Sequence, residues 1–376
     1  GSRLPPPAAG STEPEFCSSR ERQGVVNTPS RELKVLVVDD SAVNRRSISE
    51  MLSGVPGVRI VGKAANGEEA LRLVHVTEPD VVTLDLEMPK MDGFTFLRIL
   101  MAQKPLPVLV ISSYSQKENV FKALEFGAVD FVAKPDLLVP GDSSIRDDLV
   151  SKITMMRTLH HLKGPTSSTV RSSPPVLTPY QANGRVPTRL VVIAASTGGP
   201  GALMEVIGAL PESTNLAILI AQHMPEKFTR TFAERLDRRS RVRVREAEHE
   251  EPVCAGEVLV CPGLRCMEVV TQGDDWRVRV VPPAPTDRYI PSADRLFQSA
   301  AKVAGEKVIG VILTGMADDG TKGAQAIRAR GGVVFAESDE TAVVFGMPRA
   351  AIEAGVVHHV LPLHQMAEAL RTFDTI

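Results

Sequence analysis

The sequence predicts an α/β protein of two doubly wound, parallel-sheet domains joined by a flexible linker, and three observations carry that expectation. Short apolar runs bounded by turn residues alternate with segments of helical period, twice over. A stretch with five prolines and no Asp or Glu, residues 164–189, separates the two series. The length, 376 residues, suits two domains with sizeable cores rather than one small module.

The first series begins at Leu33. Its apolar runs are LKVLVVDD, VRIVGKA, DVVTLDL, LPVLVISS and VDFVAKP, and between them AVNRRSISEMLSG and GEEALRLVHV place apolar residues at helical spacing. SIRDDLVSKITMMRTLHHL then fits an amphipathic helix, acidic in its first turn and basic late, as the helix dipole favours. The second series comprises RLVVIAAS, LAILIAQH, EVLVCPG, WRVRVV, KVIGVILTG and GGVVFAES. The expected organisation is a tag remnant plus disordered tail at 1–32, a first domain at 33–150, a helix and linker at 151–183, and a second domain at 184–376. No repeat of 20–50 residues points to a solenoid.

Composition excludes several functions. Lys+Arg 43 against Asp+Glu 45 leaves a net charge of −2, so nothing in the balance suggests coating nucleic acid or membrane. Aromatic residues make up 4% with one Trp, too few for platforms that stack bases or sugars. Cys17, Cys254, Cys261 and Cys266 form no CxxC pair, so a reduced, cytoplasmic chain without structural zinc is expected. No apolar stretch approaches the roughly 18 residues that span a bilayer, and no membrane insertion is expected.

Parallel sheets carry their ligands beyond the carboxyl ends of the strands, so polar residues there are the candidates for function. In the first series these are Asp39 and Asp40 after KVLVV, Asp85 after VVTL, Ser112 and Ser113 after PVLVI, and Lys134 after VDFVA. Clustered carboxylates repel, and a hard cation with oxygen ligands, Mg²⁺, relieves them. An Asp beside Mg²⁺, a hydroxyl and a Lys is suited to accept a phosphoryl group, because cations neutralise the transferred oxygens. The alternative is that Asp39 and Asp40 only cap the next helix.

VLVVDDSAVNRR, DVVTLDLEMPKMDGFTFL and VISSYSQKENVFKALEFGAVDFVAKP together resemble the receiver domain of two-component response regulators. The resemblance implies a flavodoxin-like fold, with Asp85 as phosphoacceptor, Asp39 and Asp40 as the Mg²⁺-holding pair, and a backbone carbonyl at Glu87 as a further metal ligand. It further implies Ser112 as the switch hydroxyl, Phe131 as the rotating aromatic and Lys134 as the phosphate-binding lysine. A chemotaxis sensor histidine kinase is the implied phosphodonor.

In the second series RLVVIAASTGGPGALMEVIGAL reads as strand, Gly-rich turn and helix, exposing Ser196 where backbone N–H groups face a developing anion. The turn serves equally as an N-cap or an anion cradle. His223 follows LAILIAQ, and Asp318 and Asp319 follow KVIGVILTG by a short turn. All three residue types lie beyond strand ends and can converge on one sheet edge. A Ser hydroxyl needs a His to take its proton, and the His needs a carboxylate to fix its tautomer.

AASTGGP, AQHMPEKFTRTFAERLD, LTGMADDGTKGAQAI and VVFGMPRAA resemble the catalytic domain of chemotaxis-specific protein-glutamate methylesterases. The resemblance implies a Rossmann-like serine esterase with Ser196 as nucleophile, His223 as general base and acid, and Asp319 as orienting carboxylate. The backbone N–H groups of Thr197 and Met316 are the implied oxyanion hole, and no cofactor is implied at this site. Asp319, directly before Gly320, matches the functional carboxylate, which leaves Asp318 as a turn residue. The chain has Ala194 and Ala317 where the family pattern has glycine, and a methyl at either turn narrows its backbone angles. The implied function is a phosphorylation-activated hydrolase acting on methyl esters, and on glutamine amides, of methyl-accepting chemoreceptors, inhibited by its receiver until phosphorylated. The alternative is a phosphorylation-switched binding module that cleaves no ester.

The stretch from Arg235 to Arg245 holds six arginines. It reads first as a solvated face, second as a docking patch for acidic receptor helices; no helix-turn-helix or aromatic interleaving supports nucleic acid. Cys254, Cys261 and Cys266 read as buried small hydrophobes.

Overall fold

The computed structural model describes residues 32–134, 143–158 and 186–374. The expected tail, apart from Glu32, and most of the expected linker lie outside the described residues.

The first series forms β1 (Leu33–Val38), α1 (Ala42–Leu52), β2 (Val58–Ala64), α2 (Gly67–Thr77), β3 (Val81–Leu84), α3 (Gly93–Gln103), β4 (Val108–Ser113), α4 (Lys117–Glu125), β5 (Asp130–Lys134) and α5 (Ser143–Met155). The five strands are parallel in the order β2-β1-β3-β4-β5. Four of them are almost wholly buried because helices cover both faces. Helix starts follow from short polar residues: Ser41, Asn66 and Asp92 each accept a first-turn N–H, from Asn44, Glu69 and Thr95. Helix α5 continues past residue 150 because Ile153 and, just beyond it, Met156 fill the same apolar cluster as Leu33, Val35 and Ile48.

The second series forms β6 (Arg189–Ala195), α6 (Gly199–Gly208), β7 (Leu216–Gln222), α7 (Glu226–Arg239), β8 (Arg243–Glu246), β9 (Glu251–Pro252), β10 (Glu257–Val260), β11 (Cys266–Gln272), β12 (Asp275–Val281), α8 (Ala293–Ala304), β13 (Val308–Ile312), α9 (Thr321–Ala329), β14 (Val333–Glu337), α10 (Met347–Glu353), β15 (His359–Leu361) and α11 (Leu363–Asp374). Seven strands make a parallel sheet in the order β15-β14-β13-β6-β7-β10-β8. The order reverses at β6, which lies between β7 and β13, and that is where a doubly wound sheet opens a crevice.

One strand expectation changes, and one strand lies where none was expected. WRVRVV does not join the parallel sheet: as β12 it pairs antiparallel with β11 and β9 in a separate three-stranded sheet. Its Val278, with Met267 and Val269 of β11, packs in one cluster with Leu296 and Phe297 of α8. Part of the arginine stretch is an edge strand, β8, in which Val244 points inward between arginines.

The two sheets share one apolar cluster. Phe121 of α4 stacks on Phe232 of α7 with centroids 5.6 Å apart, and Phe131 of β5 lies 4.5 Å from Phe228 of α7. Around these rings, Arg235 bonds Glu125 through Nε at 2.7 Å and Nη2 at 2.5 Å, and Arg239 reaches Glu125 at 2.7 Å. Arg235 and Arg238 reach Glu118 at 3.3 and 3.2 Å. The solvated-face reading is thus corrected for Arg235, which is 14% exposed; Arg238 and Arg239 stay exposed while pairing across the two sheets' helices, and Arg243 and Arg245 pair with Glu257 and Glu251 inside the second series.

Candidate active site and phosphoacceptor pocket

The turn after β6 starts from its sequence. Gly198 takes φ +78°, and a Cβ there would overlap Val343. The turn lets Gly199 N–H close onto Ser196 O at 2.8 Å and starts α6, so Ser196 stands between a strand end and a helix N-terminus. The Ser196 N–H is held by Thr314 O at 3.0 Å, and the Thr314 hydroxyl donates to Thr197 O at 2.9 Å. Thr314 also accepts from Val344 N at 2.9 Å, and its own N–H donates to buried Glu337 Oε2 at 2.8 Å. Burial pushes the Glu337 carboxyl up to about 7.

Neighbouring strands bring the histidine beside the serine. Ala195 and Gln222 are the last paired residues of β6 and β7, and His223 N–H donates to Ala195 O at 3.0 Å. From the other flank of β6, the turn after β13 delivers Asp319, only 1% exposed. Asp319 Oδ2 lies 2.8 Å from His223 Nε2. The same carboxylate accepts N–H groups of Ala293 at 2.8 Å, Asp294 at 3.0 Å and Gly320 at 3.1 Å, so it sits on the positive end of α8. An ionised carboxylate only accepts, so Nε2 carries the proton and Nδ1 keeps a free lone pair. Among the described residues the Ser196 hydroxyl makes no hydrogen bond, and the N–H groups of Thr197 and Met316 have no acceptor.

Tyr289 lies over the imidazole with centroids 5.5 Å apart and planes 18° from parallel. Its hydroxyl donates to Asp318 Oδ1 at 2.9 Å, and Arg288 lies 3.5 Å from Oδ2. Asp318 does more than shape the turn, whose Thr321 N–H bonds its carbonyl: it also anchors the residue that backs His223. Sequence reasoning missed Tyr289, since nothing in PTDRYIPS distinguishes it before tertiary contact is known. The two glycine replacements differ. Ala317 takes φ +77°, the left-handed region that favours glycine, whereas Ala194 lies in strand β6 and requires no such angle.

In the first sheet the order 2-1-3-4-5 places the switch point between β1 and β3, and there Asp39, Asp40 and Asp85 bring carboxylate oxygens within 4.8 Å of one another. Lys134 Nζ lies 2.6 Å from Asp85 Oδ2 and 3.2 Å from Asp39 Oδ2. Burial pushes the Asp39 carboxyl up to about 6; Lys134 pulls it down, and the Asp85 charge adds to the rise. Burial also works against the Lys134 ammonium, but the charges of Asp85 and Asp39 outweigh it and hold it above its ordinary value. Three carboxylates against one ammonium, all oxygen donors, suit a hard divalent cation. Glu87 N–H points at Asp85 Oδ1 from 3.4 Å, which sets its peptide at the rim. The buried Ser112 hydroxyl donates to Gln116 Oε1 at 2.8 Å, and buried Phe131 packs on Phe228. Asp39, Asp40, Asp85 and Lys134 thus meet in one pocket, while the Phe131 ring lies against α7 of the second series.

Residues 191–370 match the family model described as CheB methylesterase, and residues 35–138 match the response regulator receiver domain. The chain is 46% identical over 344 residues to protein-glutamate methylesterase/protein-glutamine glutaminase 1 of Myxococcus xanthus (strain DK1622), covering 90% of this chain and 96% of that one. The chain belongs to the CheB methylesterase family. A relative of the same name, numbered 3, from Geobacter sulfurreducens is 44% identical over 362 residues, covering 90% and 97%. Among solved structures, the Thermotoga maritima CheB methylesterase catalytic domain is similar at 39% identity, TM-score 0.49, covering 51% of this chain and all of that one. Among the described residues no helix is long and apolar enough to cross a membrane.

Proposed function

We propose that this chain is a phosphorylation-activated serine hydrolase that removes methyl esters from glutamate side chains of chemoreceptors, releasing methanol, and deamidates receptor glutamines. One observation carries the reading: a His223–Asp319 pair stands beside a strand-end serine, and the N–H groups of Thr197 in its own turn and of Met316 in the turn after β13 are unengaged among the described residues. In the proposed cycle Ser196 Oγ attacks the ester carbonyl while His223 Nδ1 takes its proton. The Thr197 and Met316 N–H groups hold the oxyanion. His223 returns the proton to departing methanol, then activates the water that frees the glutamate. Asp319 keeps the imidazole in its tautomer and balances its charge.

The receiver is assigned to the domain expected at 33–150 together with the rest of α5, whose Ile153 packs in its core, the linker to the residues that follow up to 183, and the esterase to 184–376. Asp85 is the proposed phosphoacceptor, supplied by a chemotaxis sensor histidine kinase in the cytoplasm. Asp39, Asp40, Asp85 and the Glu87 carbonyl would hold Mg²⁺, which supplies charge neutralisation at the phosphoryl oxygens. Lys134 would bind the phosphoryl group, and Ser112 and Phe131 would relay its presence. Inhibition before phosphorylation is supported by the receiver's nearness to the site. Ser151 of α5 lies 3.8 Å from Met316 Sδ, and Val343, which packs under the α5 cluster, also borders Gly198.

The test is methanol release from methylated chemoreceptor, with and without a phosphodonor and Mg²⁺. Ser196→Ala should lose several orders of magnitude, and Asp85→Asn should lose only the stimulation. Absence of methanol release from wild type would favour a binding module instead.

A further inference from the structure

The paired residues of β6 and β7 end at Ala195 and Gln222, and the last backbone bond between them runs from His223 N–H to Ala195 O at 3.0 Å. Beyond that point no backbone bond joins the two residues whose separation decides proton transfer. The Gln222 side chain takes over. Its Nε2 donates to Ser196 O at 2.9 Å and to His223 O at 3.0 Å, using both amide protons on the two carbonyls. Because both partners only accept, the orientation of the amide is fixed by chemistry.

This arrangement has a cost that packing alone would not select. Gln222 is 1% exposed and its Oε1 is buried without a hydrogen-bond partner. Leaving such a group unpaired is unfavourable, and an apolar side chain of similar size would avoid that. Gly199 supplies the room, since a Cβ there would overlap Oε1. Ser196 O thus takes two donors, Gly199 N–H and the Gln222 amide, which pin the peptide that follows the serine.

We propose that Gln222 is a positioning residue that clamps the Ser196 and His223 backbones at the spacing needed for proton transfer; this rests on the Ser–His reading above. Misplacement by about 1 Å costs on the order of 10²-fold in rate.

The full-length chain, activated with phosphodonor and Mg²⁺, is assayed for methanol release as wild type, Gln222→Met and Gln222→Glu. Gln222→Met keeps the bulk but neither bond, and kcat should fall about 10²-fold with KM little changed. In Gln222→Glu an ionised carboxylate meets two carbonyls, whereas a protonated one donates to one of them, so its kcat relative to wild type should rise as pH falls. A merely structural role predicts no such pH-dependent ratio. Wild-type kcat in Gln222→Met overturns the inference. Should that variant fail to fold by near-UV circular dichroism, a flat Gln222→Glu ratio overturns it. An inactive wild type would instead sink the esterase reading.

Discussion

Removing Arg235 should switch the enzyme partly on without phosphate. Its guanidinium grips Glu125 with two bonds, Nε at 2.7 Å and Nη2 at 2.5 Å, and both side chains are about 15% exposed (14% and 15%). Charge-assisted bonds of this kind contribute about 1.5–3 kcal/mol, and the lower end applies because Glu125 keeps Arg239. A loss of about 1.5 kcal/mol from the closed form raises the open fraction about tenfold, until it reaches the rate of an isolated 184–376 fragment. The assay is methanol release by Arg235→Ala with no phosphodonor. Arg230→Ala is the control, since Arg230 lies on the same helix, is 77% exposed and pairs with Glu234 of α7. Adding Glu125→Ala to Arg235→Ala should raise the basal rate further only by what the remaining Arg239–Glu125 pair contributes, less than Glu125→Ala does by itself, because the Arg235–Glu125 contact is already gone. A basal rate equal to wild type, with the fragment still faster, would refute the assignment of inhibition to this interface.

Other outcomes follow from the same geometry. Asp319→Asn should lower kcat about 10³–10⁴-fold, because the amide no longer fixes the His223 tautomer; the pH profile of kcat/KM checks it. Tyr289→Ala, which strips the ring from His223, should lower kcat/KM about three- to tenfold, the worth of one aromatic stacking contact. Ala317→Gly should stabilise the fold by about 0.5–1 kcal/mol, read as a higher urea midpoint, since φ +77° strains an alanine and glycine's extra freedom when unfolded offsets part of the gain. Glu337 holds its proton to about 7 when folded but ionises near its ordinary value, 4.5, when unfolded. Its contribution is therefore full below pH 4.5 and is lost as pH rises to about 7, at most roughly 3 kcal/mol; Glu337→Gln should flatten that slope in urea titrations.

Much of this was legible in the chain itself. Buried parallel strands read as continuous Val/Ile/Leu runs because both faces are covered, so β1, β3, β4, β6, β7 and β13 announce themselves. Chemistry in such sheets sits just beyond strand ends, which is why Asp39, Asp85, Ser196 and His223 could be picked out by position. WRVRVV misled because alternation marks a strand but not its sheet; only packing against α8 assigns it to the antiparallel one. The arginines of α7 misled in another way, because a charged helical face looks the same whether its partner is water or the receiver's Glu118 and Glu125.

Sequence by itself thus determined the two sheets, their order along the chain and the residues at their carboxyl edges, because periodicity and turn chemistry are local. Tertiary structure alone decided what depends on neighbours distant in the chain. It set Asp319 on the N-terminus of α8 and against His223, put Tyr289 over the imidazole, and turned Gln222 toward two carbonyls. It also seated Phe131 on Phe228, joining the phosphoacceptor's sheet to the serine's. Such contacts arise from close packing between segments whose separate sequences carry no mark of one another.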